Sequence, residues 1–573
     1  MSGKNKLLIT IISVGSAILL SLITFLIIFF AVWKVDIKAK AAQVDDSQKI
    51  EVKWDVSKKV SAVEIVVSHK GREVSTTKID DKKAISKGSY VVDGYYGNMD
   101  VTVKVKKGLR KSVDETRVKV FADEYNIAPI TATMPVTFFS LNLKEITNDY
   151  TIPTFVWFKR SEVWDYSKLP NNVYTMPIAS KKEITSNASQ KKIYEKTSEW
   201  VKELYEINPD SHFNFYYNDY YAYGWMQATI ANGIPTENFD VTLLSDGSAS
   251  LTYFNDLFTA DDTDYTATYN QMKTEYETLK QQVATKKYYK ENDDSFEIEA
   301  GKLREYAYVM AKEESNVYWW LSATRNAIYD INNIDEGNTL KKTDVKALET
   351  SGKIVCKALN TSFNSMTAEE KNKLKELYNF GDNLFQEAVS QDKKAMVILG
   401  TWQAYEYDFA DYVAATIAYY GTDDYVYYYK GHPRNPTPTV DGKMEYLNNL
   451  GLIDVDSTIA AELLFFYYSD LLVCTGYDSS TYGSLTEAQC GSIWNYDNGE
   501  NGFVSSGKTY VDNIDACFTV ADSTNTDYGS FVNASNKTIL IEVLDSTDLY
   551  LYDTVAKTLT HLVDNSGSYE VAQ

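Results

Sequence analysis

Histidine and cysteine are scarce in this chain, four of each in 573 residues. His69, His212, His432 and His561 lie far apart, as do Cys356, Cys474, Cys490 and Cys517, and no CxxC, HExxH or other zinc-ligand spacing occurs. A zinc site needs such spacing, so the sequence argues against zinc chemistry. GxGxxG, the P-loop pattern and GxSxG are absent too, which argues against dinucleotide, P-loop and nucleophile-elbow chemistry. Positive charge is also short. Lys and Arg number 57 against 79 Asp and Glu, a net charge of −22 that repels a phosphate backbone, so nucleic acid is not expected as a partner. The Asp-x-Asp triplets Asp262 to Asp264 and Asp454 to Asp456 arise by chance in so acidic a chain, and no metal or cofactor is expected.

What is abundant is aromatic. Tyr 45, Phe 23 and Trp 10, with 44% hydrophobic and 24% charged residues, supply packed cores for three compact units. After a short tail (1–6), Leu7 to Trp33 carries no charge and is long enough to cross the roughly 30 Å of a bilayer core as a helix, so a single-pass membrane anchor at 7–33 is expected. Lys4 and Lys6 precede the span, and Lys34, Lys38, Lys40 and Lys49 follow it, a count that chooses no side. A linker (34–47) then leads to 48–125. There the apolar residues alternate, as in Ile50-Glu51-Val52-Lys53-Trp54, with turn signals at Lys70-Gly71 and Gly97-Asn98, and the reading is a small immunoglobulin-like β-sandwich without catalysis.

Beyond Tyr125 short apolar runs alternate with amphipathic stretches. The runs Val136 to Phe139, Phe155 to Phe158, Phe213 to Tyr217 and Val241 to Leu244 form one cluster; Ala395 to Leu399, Tyr425 to Tyr429, Leu471 to Cys474 and Thr538 to Val543 form another. A mostly helical stretch from about Thr266 to Gln391 separates them. This predicts an α/β fold of two doubly wound, Rossmann-type domains (126–393 and 394–573), with ligand at the carboxyl ends of the strands.

Four strand-end loops therefore carry the chemistry. In Leu244-Ser245-Asp246-Gly247, Asp246 is either a base for a bound hydroxyl or part of a plain Asp-Gly turn. In Lys430-Gly431-His432-Pro433-Arg434, His432 follows an aromatic strand, between a Gly that permits close backbone approach and a Pro that fixes the turn. Its near-neutral pKa suits charge stabilisation or protonation of a leaving group, and Lys430 and Arg434 add local positive charge; the alternative is a surface histidine. In Cys474-Thr475-Gly476-Tyr477-Asp478-Ser479-Ser480-Thr481, hydroxyls and N–H groups at a helix start make either an anion site or an ordinary N-cap. In Gly400-Thr401-Trp402, Trp402 either stacks on a sugar face or is packed inside. Glu462, in the apolar segment Ile459 to Tyr467, needs partners, from the protein or from ligand hydroxyls.

In this order, Asp246-Gly247, Gly400-Thr401-Trp402, Lys430-Gly431-His432-Pro433, Glu462 and Ser479-Ser480 resemble the bacterial sialyltransferases of the two-domain GT-B fold, the marine-bacterial and Pasteurella type, over about Thr133 to Ser484. The resemblance implies an inverting, metal-independent transfer from a CMP-linked sialic acid to a glycan hydroxyl, with 126–393 on the acceptor side and 394–573 binding the donor. It implies that His432 contacts the CMP phosphate and acts as acid, Ser479 and Ser480 hold that phosphate, Glu462 binds the ribose, Trp402 stacks on the acceptor, and Lys430, Gly431 and Pro433 complete the donor loop. Two departures stand out: Ser245-Asp246-Gly247 replaces the family's Asp-Asp-Gly, and no Asp occurs in Thr137 to Asn142, where the family's base is expected at the first strand end. The base is accordingly assigned to Asp246, with Asp219 behind it.

Two alternatives remain open: a donor such as CMP-Kdo or another CMP-nonulosonate, or a glycan-binding surface protein that has lost catalysis. A CMP-sugar donor points to the cytoplasm, whereas an anchor followed by a β-sandwich looks exported. The sequons at Asn187, Asn360, Asn533 and Asn536 and the pair Cys490 and Cys517 do not decide between them.

Overall fold

The structure, a computed structural model, describes residues 35–108, 110–159, 163–176, 187–219, 223–247, 264–285, 306–322, 337–381, 383–400, 420–433, 451–476 and 489–497, with shorter pieces between and beyond them. It divides into two compact units, one of residues 1–125, 195–213 and 228–239, the other of 126–194, 214–227 and 240–573. Of the expected anchor, residues 15–16 and 18–25 are described; they are helical and exposed. No helix among the described residues is long and apolar enough to cross a membrane.

In the first unit, alternation produces strands. β1 (Ile37–Gln43), β2 (Lys49–Val56), β3 (Ala62–His69), β4 (Arg72–Ile79), β5 (Ser89–Asp93), β6 (Gly97–Lys107) and β7 (Arg110–Val120) form two antiparallel sheets, ordered β1-β2-β5 and β4-β3-β6-β7. Every second residue faces the core: Val63, Ile65 and Val67 from β3, and Met99, Val101, Val103 and Val105 from β6. Lys70 and Gly71, both at positive φ (49° and 78°), close the β3–β4 hairpin as expected. Two expectations are corrected. Residues 37–43, read as linker, are strand β1, paired with β2 along its whole length, and Gly97-Asn98, read as a turn, opens β6. This unit also recruits chain from well beyond residue 125. Trp200, on the helix Asn187–Ile207, is fully buried and donates its indole N–H to the Tyr96 carbonyl (3.0 Å), while Phe213 stacks on Tyr125 with ring centroids 5.4 Å apart. Glu203, one turn from Trp200, meets His69 Nε2 (3.0 Å), Lys70 Nζ (2.8 Å) and the Asn98 N–H (2.8 Å).

The second unit is α/β with parallel pairing. Strands β8 (Glu124–Ile130), β9 (Thr154–Phe158), β10 (Val173–Thr175), β11 (His212–Asn218), β12 (Phe239–Leu244), β13 (Val317–Leu321) and β14 (Ile354–Cys356) form a seven-stranded sheet, order β10-β9-β8-β11-β12-β13-β14. The pairs β10–β9, β8–β9, β12–β13 and β13–β14 are parallel. A six-stranded sheet, order β17-β16-β15-β18-β19-β20, comprises β15 (Lys394–Leu399), β16 (Tyr425–Lys430), β17 (Ile453–Val455), β18 (Leu472–Gly476), β19 (Cys490–Asp497) and β20 (Gly502–Ser505), parallel except at β19–β20. One apolar core joins the two sheets, from Ile130 and Phe158 through Phe139 and Leu377 to Val397, Tyr428 and Phe465.

Three readings of the sequence are corrected here. Val136 to Phe139 is not a strand but the middle of the helix Thr133–Leu141, buried from Pro135 to Leu141, and the first strand of the sheet is β8. A helix covered on all sides is apolar on all sides, and its period disappears. The stretch from Thr266 to Gln391 holds two sheet strands, β13 and β14. Thr538 to Val543 is a strand, but it belongs to a separate antiparallel meander, β21 (Phe518–Ala521), β22 (Thr538–Val543), β23 (Asp548–Asp553), β24 (Thr558–Asp564) and β25 (Tyr569–Val571), and not to a parallel sheet. This meander meets the six-stranded region at Gly451 (φ +69°), where any Cβ would collide with the Tyr552 ring, at a Lys557–Glu387 ion pair (2.6 Å), and at a bond from the Leu559 N–H to Thr422 Oγ1 (3.2 Å).

Candidate active site

The carboxyl ends of the strands in the second unit carry two clusters of polar groups. The first gathers at the ends of β8, β11, β12 and β13. Thr131, directly after β8, donates through Oγ1 to Asn218 Oδ1 (3.1 Å) at the end of β11. Asp219, the next residue, is 1% exposed, and its Oδ2 accepts the Trp319 indole N–H from β13 (3.0 Å). After β12, Ser245 bridges to β13 by accepting the Ser322 N–H at Oγ (2.8 Å), with the two hydroxyls 3.0 Å apart. Asp246 is half-buried, and its N–H bonds to Ser250 Oγ (2.9 Å). Gly247 follows at φ +62°, the left-handed conformation that lets the chain turn at once.

Burial pushes the Asp219 carboxyl up to about 7. The Ser250 hydroxyl and the Trp319 N–H pull against that, and the Asp246 charge adds to it. Asp219 Oδ1 has no hydrogen-bond partner of good geometry among the described residues. A carboxyl poised near neutrality beside a more accessible carboxylate is an arrangement suited to proton transfer.

The second cluster lies at the ends of β15, β16 and β18. Gly400 and Gly431 let these strand ends approach: a Cβ on Gly400 would strike the Tyr429 hydroxyl and come within 3.2 Å of the Gly431 Cα. Lys430 is 3% exposed and donates through Nζ to the carbonyls of Gly431 (3.1 Å) and Ser457 (3.0 Å). Its positive charge is buried, and it ties the loop after β16 to the one after β17. Glu462 is buried in the first turn of the helix Ala461–Tyr467 and accepts from Thr481 Oγ1 (2.9 Å). Burial raises its pKa, against the pull of its own backbone N–H, Thr481 and the Lys430 charge. His432 and Pro433 follow Gly431 and are half-buried. Trp402, Arg434, Asp478, Ser479 and Ser480 lie outside the described residues, as does any pairing of Cys490 with Cys517. No group of three or more His, Cys, Asp or Glu able to hold a metal occurs among the described residues.

Asp246 is thus joined by Asp219, and Lys430 by Glu462. The expected first strand end is corrected from Thr137–Asn142 to Ile130-Thr131-Ala132, which also lacks a carboxylate. Sequence reasoning named Thr481 among the hydroxyls of the loop after β18 but gave it no part in holding Glu462, and it missed Ser250 and Trp319. Trp319 was out of reach, since it sits in a stretch read as helical.

No protein-family model matches this chain, and no curated protein does. Among solved structures it is similar to a 2,6-sialyltransferase of Photobacterium sp. JT-ISH-224, described in complex with CMP and lactose, at 11% identity over 79% of this chain and 86% of that one, TM-score 0.45. A sialyltransferase of Photobacterium damsela matches at 13% identity over 79% and 89%, TM-score 0.43. An α/β-galactoside α-2,3-sialyltransferase of Photobacterium phosphoreum matches at 13% over 66% and 93%, TM-score 0.46.

Proposed function

We propose that this protein is a glycosyltransferase that moves sialic acid, or a related 2-keto sugar acid, from a CMP donor to a glycan hydroxyl. The observation that carries the reading is the second cluster: a buried Glu462 held by Thr481 and acted on by the charge of Lys430, which stands at a strand end two residues before His432, supports a nucleotide-sugar site. A buried carboxylate tied to one hydroxyl keeps acceptor capacity for ribose hydroxyls. His432 assists departure of CMP, and Ser479 and Ser480 contact its phosphate. Asp246 takes the proton of the attacking hydroxyl, Trp402 stacks on the acceptor sugar, and neither metal nor cofactor takes part. We further propose that 7–33 anchors the chain in a membrane, on the strength of its uncharged run.

The test is calorimetric titration of the detergent-solubilised full chain with CMP, UDP, GDP and ADP. Selective CMP binding, weakened at least about tenfold in Glu462→Ala, supports the donor class; equal affinity for all four nucleotides overturns it. Steady release of CMP from CMP-sialic acid with lactose as acceptor separates an enzyme from a glycan-binding protein that has lost catalysis, the reading favoured by the missing carboxylate at Ile130-Thr131-Ala132.

A further inference from the structure

Resting on the transferase reading, we propose that Asp219 is a positioning residue for Asp246: a buried carboxyl whose charge state sets the basicity of the half-exposed carboxylate that meets the acceptor hydroxyl. The two residues follow neighbouring strands, Asp219 after β11 and Asp246 after β12. Ser250 lies between them, its Oγ receiving the Asp246 N–H at 2.9 Å and its hydroxyl acting on the Asp219 carboxyl. From β13, Trp319 Nε1 fixes Asp219 Oδ2 at 3.0 Å; from β8, Thr131 fixes the preceding Asn218 at 3.1 Å. Among the described residues Asp246 is the charged group that bears on Asp219, and its backbone N–H also acts on that carboxyl; Ser250, Trp319, Thr131 and Asn218 are neutral. At 1% exposure Asp219 does not meet substrate itself, yet its Oδ1 has no well-formed hydrogen bond among the described residues.

The consequence is electrostatic. Once Asp219 ionises, its negative charge disfavours a second one nearby, so Asp246 holds a proton more tightly and is a stronger base. In the transfer step the acceptor oxygen bonds to the anomeric carbon, its proton passes to an Asp246 carboxylate oxygen, and the bond from that carbon to the CMP oxygen breaks, releasing CMP. Asp219 exchanges no proton with substrate. Its charge state sets the pH at which Asp246 works.

The experiment follows the carboxyl groups directly, by infrared difference spectroscopy of the full chain labelled with 13C-aspartate between pH 5 and 9. The expected result is a carboxyl band that titrates near neutrality, is absent in Asp219→Asn, and shifts to lower pH in Asp246→Asn, where the like charge is gone. In parallel, the acid limb of kcat/KM for transfer to lactose near pH 7, where Asp219 ionises beside an already charged Asp246, is lost in Asp219→Asn, with kcat at pH 8 reduced and KM unchanged. Melting temperatures confirm that both variants are folded. A neutral band that survives Asp219→Asn, or a wild-type acid limb in that variant, overturns the proposal. If the band behaves as expected but no sugar is transferred at any pH, the coupling stands and the transferase reading falls.

Discussion

A buried carboxyl makes stability depend on pH in a direction that can be read from Asp219. Its folded pKa, about 7, lies above the ordinary 3.8, so the folded state holds a proton that the unfolded chain has released. Its contribution is complete below pH 3.8 and is lost as pH rises toward 7, up to about 4 kcal/mol across that window. Asp219→Asn, which keeps the Trp319 bond and carries no charge, is expected to remove this slope and to be more stable than wild type at pH 8 in chemical denaturation. Parallel stability curves for the two proteins from pH 4 to 8 would show that Asp219 ionises freely. His432 belongs to the same scale: His432→Ala is expected to lower turnover by at least about 100-fold, measured as CMP release, and wild-type turnover would remove it from the mechanism. Asp246, His432 and Glu462 could be named from the sequence because each stands beside a Gly or in an apolar run that marks a strand or helix end. Asp219 was only a second choice, since Asn218-Asp219 has no Gly or Pro beside it and its significance comes from Trp319, a hundred residues away.

At the scale of elements, alternation in the first unit and the apolar runs β9, β11, β12, β15 and β16 were readable, because strand burial leaves a pattern in neighbouring residues. The helix Thr133–Leu141 was not, because beyond its first two residues every position is buried and no polar face repeats. Nor were β13 and β14, short strands inside a long stretch of helical composition. Two contacts between elements yield predictions. Burial pushes the Glu203 carboxyl up, but His69, the Asn98 N–H and Lys70 together overcome this and hold it at about 2, below the ordinary 4.5. Its contribution is therefore present above pH 4.5 and lost as pH falls from 4.5 toward 2. Glu203→Gln is expected to cost roughly 2 kcal/mol at pH 7 and to flatten the acid side of the unfolding curve. At Gly451 a Cβ meets the Tyr552 ring at a backbone angle that L residues avoid, so Gly451→Ala is expected to destabilise by about 2 kcal/mol or more in denaturant melts. An unchanged midpoint would mean that the meander shifts freely.

For the whole molecule, the sequence reading placed a β-rich segment before two separate α/β domains; strands β1 to β7 precede the two α/β sheets in the chain, and those two sheets lie in one compact unit. The final segment was misjudged: it was read as completing a donor domain, whereas strands β21 to β25 form a sheet of their own. Strands look alike in sequence whichever sheet they join, since parallel or antiparallel pairing is fixed by partners far along the chain. Truncation after Ser505 removes the Tyr552 packing and the Lys557–Glu387 pair, and is expected to lower the calorimetric melting temperature by several degrees. An equal melting temperature would show that the meander lends no support.

Trp200 and Phe213 have a consequence for how such a protein evolves. The β-rich unit resembles a bead on a string, but its core is finished by an indole and a ring encoded some 75 to 90 codons downstream of Tyr125. Gene fusion or deletion at a single breakpoint near residue 125 would transplant a sandwich with a hole in its core and leave behind a helix whose best-packed face had lost its purpose. A chain of this fold that lacks the β-rich unit is therefore expected to have lost or rewritten the stretch around Trp200 as well.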